Sequence, residues 1–296
     1  MESSFKNTQN TPYPGTQAVL RAIALLKAFT DTQPDLSLSE LAQAAHLKKP
    51  TAFRLLTALE SAGMVVRSPN SDAYRLGPQI IVLGGKALRS NDLRSASHSE
   101  LKRLARKTGE TATLEILLDG EVLILDEVLG SHLVGTTPSI GTRWPAQLTS
   151  TGKVLLAHLP PQELAAILGQ LKGLPPSESS SPRGLEGELE PIAQYGHNLR
   201  ELEGELGRIA QHDLNLRELE GELKRIAIQG YATAVEELET GFVAAGAPVH
   251  DHTGRAAAAI SVGGPSARLT SQRLAEIIPL VKESAARISA RLGFEE

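Results

Sequence analysis

Residues 36–77, LSLSELAQAAHLKKPTAFRLLTALESAGMVVRSPNSDAYRLG, predict a helix, a turn, a second helix and a small β-ribbon. Ser37 stands three residues before Glu40, which is the spacing of a capping box, so the first of these helices should begin at Leu38. Pro50 suits the first turn of the second helix, where the missing N–H of proline costs nothing. The local pattern thus predicts two helices joined by a short turn.

The end of this stretch predicts a β-ribbon. Residues 64–67 and 74–76 are short extended runs of apolar and polar side chains, and the Pro-, Asn- and Ser-containing residues 68–73 are predicted to form the turn between them. Helix, turn, helix and ribbon in this order are typical of a winged helix-turn-helix. The second helix also carries an apolar stripe that we predict to be buried: Phe53, Leu56 and Leu59.

The polar side of that helix has the composition of a DNA-reading surface. In such folds the N-terminal part of the helix faces base edges in the major groove, while cations and hydroxyls on its flanks contact phosphates. The predicted DNA-binding residues are Thr51, Ala52 and Arg54 for base edges, Lys48 and Lys49 for phosphates, Thr57 on the same face, and Arg67 and Arg75 at the wing. The alternative is an ordinary helical hairpin with a solvated charged face.

Length and charge divide the chain into two parts. Its 296 residues exceed what one domain usually holds. The net charge is −4, but residues 1–90 hold ten Lys and Arg against six Asp and Glu, and the remainder holds twenty against twenty-eight. A charge of +4 followed by −8 favours a DNA-binding head on an acidic sensor or assembly domain.

The first half of the chain has a simple predicted layout. We predict a disordered arm at residues 1–15, the winged helix-turn-helix at 16–77, a linker helix at 78–92 and the second domain at 93–296. The helix after Thr16 has an apolar stripe that should brace the head: Val19, Leu20, Ile23, Leu26 and Phe29.

Composition also indicates the cellular compartment of the protein. There is no cysteine, which excludes disulfides and thiolate metal sites. No apolar run approaches the length of a membrane span, and residues 1–16 lack the apolar core of a signal peptide. We therefore expect a cytoplasmic protein without membrane contact.

Strands flanked by helices predict an α+β second domain. Asp119-Gly120 between two alternating runs is a strong hairpin signal. Further strands are predicted at residues 231–235, 242–249 and 256–263, and a final helix at 271–292.

A helix entered through three hydroxyls suggests a ligand site in this domain. Thr149, Ser150 and Thr151 open the helix of LTSTGKVLLAHLP, and the free N–H groups at such a start suit a carboxylate. Plain N-capping is the alternative.

The chain resembles the IclR family of bacterial transcription regulators. The resemblance is carried by RAIALLKAF, by SLSELAQAAHLKKPTAFRLLTALESAGMV, by YRLGPQIIVLG, by the ETATLEILLDGEVLILDEV hairpin, by LTSTGK, and by GYATAVEELETGFVAAGAPVHDHTGRAAAAISVGGP. It implies a GAF-like effector domain, a homodimer or a dimer of dimers, a palindromic double-stranded DNA operator, and a small organic, possibly aromatic, acid as effector.

The resemblance also implies which residues face the effector. Carried across by motif, the family pocket falls on Ser150 and Thr151 at the helix start, on Phe242 and Ala244 in GFVAA, and on Ser261 and Gly263 in AISVGGP. Some relatives have an acidic residue at the position that holds Ala234 in this chain.

A tandem repeat interrupts the second domain. Residues 199–210, LRELEGELGRIA, return at 216–227 as LRELEGELKRIA, with one difference in twelve and a period of 17 residues. Residues 185–194 match 202–211 at eight of ten positions, so residues 185–227 hold about three copies. Because 17 residues at about 3.6 per turn offset successive apolar stripes by about 100°, separate short helices fit better than one long helix. The repeats are either a tolerated surface insertion or a device that alters subunit contacts or the sensor.

No catalytic constellation is visible. His250-Asp251-His252 offers two possible metal ligands, but its spacing favours a solvated turn. The sequence contains no nucleophile elbow and no P-loop. We therefore predict no enzyme activity, no cofactor and no metal. The favoured function is a DNA-binding transcription regulator controlled by a small acid. A ligand-independent dimeric regulator and a metal-assisted hydrolase are the alternatives.

Overall fold

The computed structural model describes residues 16–30, 32–68, 71–132, 139–173 and 216–295. The chain divides into two compact units, Met1–Ala87 and Leu88–Glu296, which are described separately here. The predicted arm at 1–15 and the first two repeat copies lie outside the described residues. Within the described residues, no helix combines the length and apolar character that crossing a membrane would need.

The first unit has the predicted winged order. Its elements are α1 Gln17–Lys27, α2 Leu38–Ala44, α3 Lys49–Ser61, β1 Val65–Arg67, β2 Tyr74–Leu76 and most of α4 Pro78–Arg89. β1 and β2 are antiparallel, with Val66 opposite Arg75, and Leu36 adds a bridge to Tyr74. The turn between α2 and α3 contains His46 at φ 52°.

The predicted capping box at the start of α2 is confirmed. The Glu40 carboxylate accepts from the Ser37 backbone N–H at 2.6 Å, and the Ser37 hydroxyl accepts from the Glu40 N–H at 3.3 Å. These hydrogen bonds lower the pKa of Glu40. Two of the N–H groups that a helix start leaves unpaired are thus satisfied, which fixes where α2 begins.

The predicted stripe on α1 needs correction. Leu25 is the fully buried residue of α1, and Leu26 and Phe29 pack partly against the core of the head. Val19, Leu20 and Ile23 are instead 60, 41 and 43% exposed. The first half of the stripe therefore does not brace the head, because no described residue of the first unit covers that side of α1.

The second unit is a six-stranded antiparallel sheet with helices on both faces. Its helices are α5 Asp92–Thr108, α6 Ser150–Ala157, α7 Pro161–Gly173, α8 Leu216–Gln229 and α9 Ser271–Arg291. Its strands are β3 Thr111–Leu118, β4 Glu121–Val128, β5 Arg143–Pro145, β6 Ala232–Val235, β7 Phe242–His250 and β8 Ala256–Pro265. They lie in the order β5-β4-β3-β8-β7-β6, and the predicted hairpin turn at Asp119-Gly120 joins β3 to β4.

The two faces of this sheet differ in composition. Because side chains alternate along a strand, residues directly opposite each other share a face. One face, covered by α5 and α9, carries large apolar side chains: Leu114, Val243, Val249, Ile260 and Val262. The other, which we call the α6 face, has Phe242 at one end and Leu117 and Val122 at the other. Between them it carries small or polar side chains: Thr113, Glu115, Ala232, Ala234, Ala244, Gly246, Ala259, Ser261 and Gly263.

Candidate functional site

The polar side of α3 is open to solvent. Lys48, Lys49, Arg54 and Thr57 are exposed and Thr51 is half-buried. Pro50 occupies the first turn of α3, as the sequence predicts. The exposed side of α3 thus presents two lysines at its start and an arginine one turn later, which is the arrangement needed for phosphate and base contacts.

Ala52 is a correction to the predicted DNA-binding set. Its side chain is fully buried in the core of the head, in the same cluster as Leu25, Leu41 and Leu56. Since Ala52 and Leu56 are four residues apart, they lie on the same side of α3 and both face inward. Ala52 therefore cannot reach a base edge.

Phe53 lies on the opposite side from its predicted position. It is 46% exposed and follows the buried Ala52, next to Arg54 on the outer side of α3. An apolar ring on a reading helix can contact a thymine methyl group. The sequence does contain a signal for this position. Ala52, Leu56 and Leu59 recur at helical spacing as the inner side of α3, which leaves Phe53 on the outer side.

Both predicted wing arginines have partners within the head. Arg75 Nε donates to Asp35 Oδ1 at 3.0 Å and its terminal nitrogen donates to the other carboxylate oxygen. This pairing lowers the pKa of Asp35. Arg67 donates to the Tyr74 hydroxyl at 2.9 Å. The wing therefore presents less free charge than its sequence suggests.

A line of polar groups crosses the α6 face. Ser261 and Thr113 lie opposite each other on β8 and β3, with their hydroxyl oxygens 2.8 Å apart. The Thr113 hydroxyl donates to Glu115 at 2.7 Å, and the Thr151 hydroxyl of α6 donates to the other carboxylate oxygen of Glu115. Two of the predicted effector residues, Thr151 and Ser261, are thereby connected through Thr113 and Glu115, which sequence reasoning missed.

Glu115 is the unusual member of this line. It is buried on β3, and this burial raises the pKa of its carboxyl above the ordinary value, against the opposing effect of the two hydroxyl donors. Glu127, on the same face, adds to the rise. A raised pKa favours the neutral carboxyl, which can donate as well as accept a hydrogen bond.

The start of α6 lies directly on the sheet at Gly246. Thr149 caps the helix, its hydroxyl accepting from the Gly152 N–H at 3.0 Å. A Cβ at Gly246 would lie 3.1 Å from both the Ser150 hydroxyl and the Thr151 backbone nitrogen. Any larger residue on β7 at this point would push α6 away. Thr149 therefore serves as the N-cap that the sequence offered as the alternative to a ligand site, and the ligand site at this helix start stays a prediction.

The other predicted effector residues form a second group on the same face. Ala244 lies opposite Gly263. A Cβ at Gly263 would lie 2.6 Å from the Phe242 ring and 3.3 Å from the Ala244 Cβ. Phe242 therefore occupies the space that a side chain at position 263 would need, and this part of the α6 face is apolar.

A buried cation anchors α6. Lys153 is 2% exposed, and its Nζ pairs with Glu222 of α8 at 2.9 Å and with Glu237. Burying an ammonium group is costly unless it is paired, and two carboxylates meet that need. The ion pair between Lys153 and Glu222 thus holds α6 against α8.

The turn at His250-Asp251-His252 has structural partners. The Asp251 carboxylate accepts from the Thr253 hydroxyl, from the Thr253 N–H at 2.8 Å and from the Arg255 N–H, and these hydrogen bonds lower its pKa. Over the described part of the chain, no three His, Asp or Glu side chains group as metal ligands would.

Comparison with known proteins identifies the family. A model described as the IclR helix-turn-helix domain matches residues 18–69. A second model, described as bacterial transcriptional regulator IclR C-terminal, matches residues 85–210 and again 205–290. The chain belongs to the IclR family. Members of the IclR family are DNA-binding transcription regulators, not enzymes.

Individual relatives match this chain over more than nine-tenths of its length. The HTH-type transcriptional regulator XynR of Escherichia coli is 28% identical over 95% of this chain and 99% of its own. A solved transcriptional regulator from Rhodococcus sp. RHA1 is 27% identical, with TM-score 0.67 over 93% of this chain and 98% of its own. An IclR homologue from Microbacterium hydrocarbonoxydans, solved with 4-hydroxybenzoate, is 23% identical with TM-score 0.66, over 93% of this chain and 98% of its own. At that identity the similarity establishes the fold and not the ligand.

Proposed function

We propose that this IclR-family protein is a sequence-specific regulator whose DNA affinity is controlled by a small organic acid bound on the α6 face. In this proposal residues 16–77 read DNA, residues 78–92 link the domains, and residues 93–296 form a GAF-like effector domain that contains the tandem repeat. The protein acts in the bacterial cytoplasm, at the nucleoid.

The DNA contacts are assigned to the exposed side of α3. Arg54 and Thr51, with Phe53 beside them, face the base edges, while Lys48 and Lys49 contact phosphates. Thr57 lies one turn after Arg54 on the same side. At the wing, Arg67 and Arg75 contribute less to DNA binding, because their guanidinium groups pair with Glu60 and Asp35.

The polar line beneath α6 is the observation that carries the effector assignment. The sheet here is built largely of alanine and glycine, with the hydroxyls of Thr113 and Ser261 on it and the hydroxyl of Thr151 facing it from α6, so several hydrogen-bond groups lie together. Ligand sites commonly combine a mainly apolar wall with a few convergent polar groups. Phe242, Ala244 and Gly263 supply the apolar wall, and the helix start at Thr149 and Ser150 favours an anion.

Self-association is assigned to apolar side chains that the first unit leaves exposed. Val19 and Ile23 of α1 and Ile81 of α4 are exposed, and α4 has no buried residue. Burial of such side chains against a second copy is favourable. A two-fold dimer would place two reading helices on the half-sites of a palindromic operator.

Footprinting tests the proposal. The full-length protein is incubated with the DNA upstream of its own gene, with and without 4-hydroxybenzoate, benzoate, pyruvate and succinate. Arg54→Ala should abolish protection, whereas Arg225→Ala, which removes an exposed arginine of α8, should preserve it. Thr151→Val should preserve protection but abolish any response to the acid.

The outcomes separate the candidate functions. Protection that one acid changes supports the proposal. Protection that no ligand changes favours a ligand-independent regulator. Absence of protection at every concentration, in a folded protein, would overturn the DNA-binding assignment for this chain.

A further inference from the structure

The helix α3 carries one large apolar side chain that lies outside the apolar core of the head. Phe53 is 46% exposed. The core cluster of the head includes Leu56 and Leu59 of the same helix but not Phe53. Because an aromatic ring left in water forgoes the favourable free energy of burial, a partner that covers Phe53 would gain affinity from it.

Phe53 lies in the part of α3 that makes base contacts in helix-turn-helix proteins. α3 begins at Lys49, and the N-terminal residues of such a helix face the base edges. At about 100° per residue, Phe53, Arg54 and Thr57 fall within an arc of about 100° around the helix axis. All three are exposed. The ring of Phe53 therefore shares its side of α3 with the arginine assigned to base edges.

Thr57 adds a second apolar group one turn after Phe53. Its hydroxyl donates to the Phe53 carbonyl oxygen at 2.9 Å, so the hydroxyl hydrogen is used within α3. The Thr57 side chain is exposed, and its methyl group remains available for contact. Residues four apart on a helix have Cβ atoms about 5–6 Å apart, so Phe53 and Thr57 form one small apolar patch, which we call the 53/57 patch.

The charges around the 53/57 patch favour DNA as the partner that covers it. Lys48, Lys49 and Arg54 are exposed beside it. Glu60 is the only acidic residue in the sequence of α3, and its carboxylate lies 3.7 Å from Arg67 Nε. A small apolar patch among unopposed cations complements base edges that are flanked by phosphates.

The base that fits such a patch is thymine. In the major groove thymine presents its C5-methyl group, and phenylalanine rings and threonine methyl groups are among the apolar groups that contact it. Arg54 can instead donate two hydrogen bonds to guanine. The phenyl ring and the guanidinium group therefore discriminate between different bases.

We propose that Phe53, together with the Thr57 methyl group, determines specificity by contacting a thymine methyl group in the operator. This inference rests on the proposed DNA-binding function and names the base and the chemical group that the 53/57 patch recognises. Burying one methyl-sized group contributes about threefold to fivefold in affinity. Truncating the ring should remove this discrimination and leave the phosphate contacts of Lys48 and Lys49 in place.

Replacing thymine by deoxyuridine tests this contact, because the two bases differ only in the methyl group. The operator found by footprinting is synthesised with each thymine replaced in turn, and the affinity of the full-length protein is measured by fluorescence anisotropy. Wild type should lose about threefold to fivefold at one or more thymines. Phe53→Ala should bind the thymine and deoxyuridine forms of that site equally, whereas Phe53→Leu, which keeps an apolar side chain, should retain part of the loss.

Two further variants make the test specific. Thr57→Ser removes the methyl group and keeps the hydroxyl, so it should show a smaller deoxyuridine loss than wild type without any change to the ring. Leu118→Ala truncates a 40% exposed leucine of the second unit and should keep the full wild-type loss. Circular dichroism melting shows that each variant is folded.

The results separate this inference from the function on which it rests. If wild type binds the operator but no deoxyuridine replacement weakens binding, the thymine contact is wrong and DNA binding stands. The contact is also wrong if folded Phe53→Ala, or Thr57→Ser together with Phe53→Leu, keeps the full wild-type loss. If the protein binds no DNA, the proposed function fails and this inference fails with it.

Discussion

At the scale of single residues, the pairing of Arg75 with Asp35 decides how much charge the wing presents to DNA. Asp35→Asn should free the guanidinium for a phosphate, so that DNA affinity rises at low salt and the slope of log K against log salt steepens by about 0.9. Titrating an operator fragment at several salt concentrations measures both. Asp72→Asn removes the same charge from the turn of the wing without freeing an arginine. Equal effects of the two variants would show that net charge alone matters.

Glu115 should make the stability of the second unit depend on pH. Because burial raises its folded-state pKa above 4.5, its contribution to stability is full below that pH and is lost as the pH rises through the folded-state pKa. Each unit of that rise corresponds to about 1.4 kcal/mol. Glu115→Gln should therefore gain free energy of unfolding relative to wild type as the pH rises through this window, and keep the gain above it.

Urea denaturation at pH 4 to 8 measures this difference. The exposed Glu239→Gln is the matched control and should leave the difference flat. If the wild-type protein were more stable than Glu115→Gln at pH 8, the surroundings of Glu115 would stabilise its ionised carboxylate. That result would contradict the prediction.

Contacts between individual residues could be predicted from the sequence where both residues belong to one short local motif. Ser37 and Glu40 were paired correctly, because a capping box needs only four consecutive residues. Glu115 could not be found this way, since a glutamate in an alternating strand normally faces water. The Asp35–Arg75 pair spans 40 residues and has no local signature.

At the scale of elements, α4 has an apolar side that no described residue of the first unit covers. Ile81 is 79% exposed, and Val82 and Leu83 are also exposed. If this side joins two copies, Ile81→Glu should raise the dimer dissociation constant roughly tenfold or more, which corresponds to about 1.4 kcal/mol. Sedimentation equilibrium measures the constant.

A control separates this effect from general surface polarity. Leu118→Glu changes an exposed leucine at the end of β3 in the second unit and should leave the dissociation constant unchanged. Loss of association in both variants, or in neither, would remove α4 from the interface.

Predicting elements was easier than predicting which side of each faces inward. The Asp119-Gly120 hairpin, the final helix and the wing strands lie where their patterns place them. On α1 and α3, apolar periodicity located the helices but gave the wrong side for Val19 and Phe53. Periodicity identifies an apolar stripe, but burial depends on whether another element covers it.

At the scale of the whole molecule, control of DNA binding by an acid requires a reciprocal effect. If the acid weakens operator affinity by some factor, the operator must weaken acid affinity by the same factor, typically about 5- to 150-fold. Trp144 is the only tryptophan and lies on β5 in the second unit, so its fluorescence can follow acid binding with and without operator DNA. Unequal factors would mean that the acid and the DNA do not act on one shared equilibrium.

The overall order of domains was accessible from sequence because it rests on many weak signals that agree. The charge division, the winged pattern and the motifs of the second unit all pointed to an IclR-family regulator. The polar contacts at the α6 face could not be predicted in the same way, since Thr113, Thr151 and Ser261 come from distant parts of the chain and meet only when the domain folds.

The unequal faces of the sheet have a consequence for local unfolding. The side packed with valine, leucine and isoleucine against α5 and α9 buries the larger apolar side chains, whereas α6 rests on alanine, glycine and hydroxyls. Regions with less apolar burial open at lower free energy, so amide hydrogens of the edge strand β6 should exchange sooner than those of α9 and β8. If the proposed acid binds under α6, it should slow exchange on that side of the sheet first, and the side that opens more readily would then also be the side that responds to the acid.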